Sequence, residues 1–231
     1  MITLNKIKLF VVICMSLFLT SCVTMVTKGN KFPLMYEEKP LAIVVLPPIN
    51  ESTAADAKEY YSTTIQEPLS QTGYYVFPYE VTSEILKMEG IYDAELLTNM
   101  PLGKFREYFG ADAVLFTRIQ KWDLNYAVLV STLEVSINAQ LKSTKTDQVL
   151  WEYNGNIVVD LSGGNSGGGL AGLVVKVVVV ALNSAMADYV VHARTANVKA
   201  LGSIPLGKYH QQFNQDQDIE IIDQNPEEQK L

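Results

Sequence analysis

Two cysteines, two histidines, a run of glycines and a scatter of carboxylates are the residues of this 231-residue chain that chemistry could use. Gly167-x-Gly169-x-x-Gly172 matches a dinucleotide-binding fingerprint letter by letter, its backbone amides free to cradle a pyrophosphate. That fingerprint works between a strand and a helix leading to a second parallel strand, which carries an acid for the ribose. Here largely polar sequence follows the helix instead, so the glycines read as a flexible loop, and no Gly-Lys-Ser/Thr follows them to make a P-loop. His192 and His210 stand at no metal-ligand spacing. Asp160, Asp188 and the pair Glu37-Glu38 are not spaced to work as acid and base, and read as solvated charges or caps. No serine or threonine is read as the nucleophile of a strand-to-helix elbow. The sequence thus predicts no catalytic residue, no cofactor and no metal.

The thiols are different. Cys22 closes Leu19-Thr20-Ser21-Cys22, and the residues before it are built for export. Lys6 and Lys8 give a positive start, and Ile7 to Leu19 is apolar apart from Lys8 and Ser16. So short a run suits a cleaved signal better than a permanent span. Small residues directly before a cysteine resemble the bacterial lipobox, whose thiol takes diacylglycerol before the signal is removed. Cys22 is therefore the expected lipidation site, carrying three acyl chains of the palmitate class and holding the protein on the lipid bilayer. Several chains anchor far more firmly than one. Val23, rather than an aspartate, follows the cysteine, which by resemblance to Gram-negative sorting implies the periplasmic face of the outer membrane.

Removal of residues 1–21 takes Cys14 and two lysines with it and moves the formal charge from −7 to −9. No disulfide is then possible, because Cys22 is the one cysteine remaining. An acidic chain is repelled by phosphate backbones, so no nucleic acid is expected as a partner.

The elements that must position any site read as one α/β domain over residues 40–213. A tether is expected over 22–39, where Gly29, Asn30 and Pro33 break periodicity, and a disordered acidic tail over 214–231. Leu41 to Leu46 is a buried-strand run stopped by Pro47-Pro48. Ala57, Tyr61, Ile65 and Leu69 form one helical stripe, which Pro68 should end or bend. A short strand at Tyr74–Phe77, helices near 82–89 and 93–97, and a helix from Pro101 to a stop at Gly110 lead to a third strand at Ala111–Phe116. The period then changes. Leu129, Leu133, Val135, Ile137, Ala139 and Leu141 alternate with Thr132, Glu134, Ser136, Asn138 and Gln140, and Val149 to Asp160 returns as a partner strand. The fold class is therefore α/β, a mixed sheet whose α/β half is followed by a long antiparallel hairpin, packed with helices. A helix is expected from Leu170 to about Arg194. Its apolar part, Leu170 to Ala187, is wide enough to need cover from a partner protein or the membrane. Tyr60-Tyr61, Tyr74-Tyr75 and Tyr79 form a tyrosine cluster, suited to an interface or to the rim of a core.

Three stretches in this order look like a known family. Leu41-Ala-Ile-Val-Val-Leu-Pro-Pro-Ile-Asn50 resembles the first strand and loop of the periplasmic domain of the curli-secretion lipoprotein, a general fold shared by the amino-terminal domain of the Tol-system β-propeller protein. Phe109-Gly-Ala-Asp-Ala-Val-Leu115 resembles the helix-to-strand junction that follows. Val135 to Trp151 resembles the strand–turn–strand, with Ser143 and Asp147 where Asp and Gly are usual. The whole chain is similar to bacterial lipoproteins of unassigned function related to these. The resemblance implies a non-enzymatic accessory of the envelope that self-associates or docks other envelope proteins in secretion or surface assembly. The alternative is a subunit of an outer-membrane pore. Against the pore stands the absence of the extra amphipathic hairpins from which the curli-secretion lipoprotein builds its barrel.

Overall fold

The computed structural model describes residues 24–92, 94–126, 131–160 and 189–224. Cys22, the glycine-rich stretch 162–169, the apolar stretch 170–187 and residues 225–231 lie outside these, together with the expectations attached to them. The chain opens with β1 (Met25–Thr27), α1 (Lys28–Lys31) and α2 (Pro33–Glu38). An α/β half follows: β2 (Ala42–Val45), β3 (Ile49–Asn50), α3 (Ala57–Gln71), β4 (Tyr75–Val76), α4 (Tyr79–Met88), α5 (Ala94–Leu97) and α6 (Leu102–Phe109). Then come the long strands β5 (Ala113–Tyr126), β6 (Ser131–Ser143) and β7 (Val149–Asp160). α7 (Tyr189–Ala200), a 3-10 turn at Leu201–Ser203 and β8 (Glu220–Ile222) close the chain.

The main sheet runs β4-β2-β5-β6-β7, with β3 pairing alongside β5. β2 is parallel to β4 and β5, whereas β5, β6 and β7 are antiparallel. This is the mixed sheet expected from the switch in hydrophobic period. β2 is apolar on both sides because both are covered: Ile43 and Val45 enter the larger core, Val44 and Leu46 the smaller. The stripe Ala57, Tyr61, Ile65 and Leu69 is fully buried and lays α3 on the larger core. Pro68 stands in the last turn of α3, which ends three residues on at Gln71, near where the sequence places the stop. In the last turn only one amide hydrogen is lost, and the ring is itself buried.

Two motifs acquire physical reasons. Gly110 takes the left-handed conformation (φ 68°) that ends α6, and two residues later the Asp112 carboxylate accepts from the amides of Leu41 and Ala42, at 3.1 Å or less. That junction pins the start of β2 beside β5. In the β6–β7 turn the Ser143 hydroxyl accepts from the amides of Lys145 and Thr146 and donates to Glu38 at 2.6 Å. Thr146 also donates to Glu38, and Asp147 adopts φ 60°. Serine thus fills the acceptor role of the usual aspartate, and Asp147 the left-handed position of the usual glycine.

Both ends of the expected domain move outward. Residues 24–39 are not a tether: Pro33 starts α2, and Phe32 and Met35 are buried against the core, Phe32 with its ring centroid 6.4 Å from that of Trp151. Residues 214–224 are not disordered. β8 pairs with β1 in the register Met25↔Ile222, Val26↔Ile221 and Thr27↔Glu220, and Ile221 packs on the larger core. The acidic composition misled because two of the carboxylates are paired with lysines from the opposite end of the chain. Lys28 meets Asp216 at 3.3 Å and Lys31 meets Asp223 at 2.9 Å, both acids almost fully enclosed.

Candidate functional site

The two sides of the sheet are covered unequally. On one side α3, α7 and the segment 32–35 seal Leu115, Ile119, Trp122, Leu133, Val135, Ile137 and Trp151 into the larger core. On the other, α4, α5 and α6 cover β2 and the start of β5, and among the described residues the cover then stops. Beyond it the hairpin presents the polar half of its alternation: Glu134, Ser136, Asn138 and Gln140 on β6, Asn154 and Asn156 on β7, Arg118, Lys121 and Asp123 on β5.

This open face is organised. The Lys121 ammonium donates to Glu134 at 2.7 Å and lies 3.7 Å from Asp123, and the Asn156 amide donates to the other oxygen of Glu134. The hydrogen bond from Lys121 holds the Glu134 carboxyl below the usual carboxylate range. So exposed a network adds little stability, but it fixes the array of donors and acceptors. Where the cover ends, a hollow of about 190 Å³ opens between α5 and the sheet. Leu46, Pro47, Ile49, Leu97 and Phe116 give it apolar walls, and Thr98, Arg118, Asn138, Gln140 and Lys142 give it a polar rim. The Lys142 ammonium sits 5.4 Å from the Phe116 ring centre, and Arg118 is paired with Glu51. A second hollow of about 230 Å³ shares Pro47, Ala94 and Leu97 with it and adds Lys58, Tyr79, Lys87 and Tyr92. In a chain of net charge −7, these two hollows gather lysines and an arginine and have no carboxylate among the described residues that line them. Such an arrangement can hold a segment with apolar and acidic groups. Among the described residues it brings together no nucleophile and base.

The residues singled out by sequence are mostly elsewhere. Tyr61 is buried with its hydroxyl 2.7 Å from that of Thr117, and Tyr74 donates to the Pro205 carbonyl at 2.6 Å. Burial raises both phenols above their ordinary range. Tyr60 stacks on Trp122, and of the cluster only Tyr75 is half exposed and only Tyr79 lines a hollow. Those tyrosines are chiefly core. His192 is half-buried on α7, and His210 caps a turn by accepting from the Gln212 amide. Glu38 is spent on the β6–β7 turn. Among the described residues no cluster of metal-ligating side chains converges, and no helix is long and apolar enough to cross a membrane. Arg118 and Lys142 escaped sequence reading. The alternation marks the wet face of β6, but nothing in sequence says that α5 stops short of it.

The family model described as "Putative lipoprotein GNA1162-like" matches residues 32–205. The chain belongs to that family. The GNA1162-like family match contains all three stretches, 41–50, 109–115 and 135–151, that carry the resemblance. A curated relative, "Putative lipoprotein NMB1124/NMB1162" of Neisseria meningitidis serogroup B, is 31% identical over 172 residues, 74% of this chain and 79% of its own. The crystal structure of lipoprotein GNA1162 from Neisseria meningitidis is 34% identical, covering 55% of this chain and 89% of that one at a TM-score of 0.48. The PelC dodecamer from Paraburkholderia phytofirmans is 13% identical, covering 79% of this chain and 95% of that one at a TM-score of 0.42.

Proposed function

We propose that this protein is a non-enzymatic lipoprotein of the cell envelope, anchored through acylated Cys22, that docks other envelope proteins or further copies of itself in a secretion or surface-assembly system. The outer membrane, periplasmic face, is its proposed location. The half-covered sheet carries this reading. A domain whose described residues seal one side of its sheet and leave an ordered polar array with a cation-rimmed hollow on the other is shaped to receive a partner. Family membership and the Leu19-Thr20-Ser21-Cys22 tetrapeptide support the anchored part.

The docking part is tested by placing a photo-crosslinking residue at Gln140, on the rim of the hollow, in living cells. One discrete adduct is expected, lost when Arg118 and Lys142 are both replaced by Glu. A probe that forms no adduct on a normally folded protein overturns the docking reading. Unitary conductance from the purified acylated protein in a planar bilayer would replace it with a pore. The anchored part is tested by intact mass, in which acyl mass on the mature chain is expected to vanish in Cys22→Ser.

A further inference from the structure

We infer that the β1–β8 ribbon is a second membrane contact, lying in the interfacial zone of the bilayer beside the acyl chains. The inference rests on acylation at Cys22. Thr24 is already part of the fold, since its carbonyl accepts from the Asp223 amide at 2.9 Å. It stands two positions beyond Cys22, and two steps of chain reach at most about 7 Å. Whatever membrane holds the acyl chains must therefore lie within that distance of the ribbon. A tether long enough to lift the domain away is absent, because the residues that would form one are folded.

The side chains at that end suit such a place. Met25 and Ile222 are a cross-strand pair on the outer face of the ribbon, 49% and 54% exposed, and the neighbouring Ile219 is 48% exposed. The opposite face, Val26 and Ile221, turns inward, with Ile221 on the core. The charged residue of the outer face, Glu220, pairs with Thr27, two positions further from Cys22 than Met25. Met25 and Ile222 thus stand at the end nearest the anchor, while Ile219 and the exposed acids on either side of it, Asp218 and Glu220, stand further away, where a surface meeting upper acyl chains and then headgroups places them. The apolar region continues past the ribbon. A small hollow between Ile222 and Phe32, with Glu152, Asn154 and Gln224 on its polar side, adjoins one of about 380 Å³ whose walls include Pro33, Leu34, Val149 and Leu150 beside the same Glu152. The lysines here add no exposed charge, since Lys28 and Lys31 are each committed to a buried aspartate. Insertion is therefore apolar rather than a response to lipid charge.

The experiment places an environment-sensitive fluorophore on Ile222→Cys in the acylated protein, reconstituted into vesicles of phosphatidylethanolamine and phosphatidylglycerol. Met88→Cys, 80% exposed on α4 across the sheet, is the control. At position 222 a blue-shifted emission, quenching by nitroxide lipids and loss of iodide quenching are expected. At position 88 the fluorophore stays aqueous. The same position-222 signal in vesicles of phosphatidylcholine alone is expected, because the contact is apolar. An iodide-accessible, lipid-silent probe at 222 on protein with confirmed acyl mass overturns the membrane contact and leaves the anchor standing. Absence of acyl mass overturns the anchor and, with it, this inference.

Discussion

Asp216→Ala tests whether the ends of the chain are held by a buried charge pair. The Asp216 carboxylate accepts from the Lys28 ammonium at 3.3 Å, the Tyr36 hydroxyl at 3.2 Å and the Leu206 amide at 3.0 Å, with 1% of its side chain exposed. Lys28 keeps one other partner, the Ile204 carbonyl at 2.8 Å. Removing the carboxylate strands a buried ammonium, which costs about 3–5 kcal/mol, and two neutral donors at roughly 1 kcal/mol each. The surviving carbonyl contact moderates the first figure, so a loss of about 4 kcal/mol is expected. Against a total stability on the order of 5–15 kcal/mol this is a large fraction. With a urea slope of about 2 kcal/mol per molar, the midpoint should fall by roughly 2 M. Tryptophan fluorescence is a suitable signal, because Trp151 packs on Phe32 in the segment that Lys28 ties down. Lys28→Met combined with Asp216→Asn removes both charges while keeping an acceptor for Tyr36 and Leu206, and should recover about half of the loss. A midpoint shift below about 0.5 M for Asp216→Ala at unchanged slope would refute the reasoning. It would mean that the pair is solvated and that the carboxyl-terminal segment is held by something else.

Asp147→Gly should raise stability by on the order of 0.5 kcal/mol in the same assay, since φ 60° costs a side chain more than it costs glycine. Gly73→Ala should lose more than about 2 kcal/mol: at φ 95° its Cβ would lie 2.5 Å from the His210 backbone nitrogen, inside the turn that joins α3 to residues 207–210. Alkaline titration tests the buried phenols. Burial raises Tyr36, Tyr61, Tyr74 and Tyr153 above the ordinary 10.0, so above that pH the unfolded chain loses protons first and stability falls as pH rises. Burial lowers Lys28 below 10.5, which works the other way, adding stability with pH between its folded value and 10.5 and nothing beyond. Urea unfolding between about pH 8 and 12 should therefore decline above 10, with delayed tyrosinate absorbance in the folded protein.

The middle of the chain was legible because local pattern and tertiary role agree there. The Leu41–Leu46 run, the four-residue stripe on α3 and the alternation of β6 each state which side is dry, and the structure buries those sides. The ends were misread because their order is not local. Nothing near Asp216 announces that its partner is Lys28, and nothing near Phe32 announces Trp151. Composition then favoured coil. The candidate site was half legible for a similar reason: the wet face follows from period-2 alternation, but the hollow exists only because α5 stops where it does.

The pairing of β1 with β8 joins residues almost two hundred positions apart, Met25 to Ile222. A contact of that separation closes a loop of nearly the whole chain, and the entropy of that closure has to be met by the ribbon and the lysine–aspartate pairs behind it. β1 and the lysines behind it, Lys28 and Lys31, therefore stay unpaired until residues 216–223 have been made. The ribbon works as a latch: opening its three paired positions frees both ends of the described domain at once.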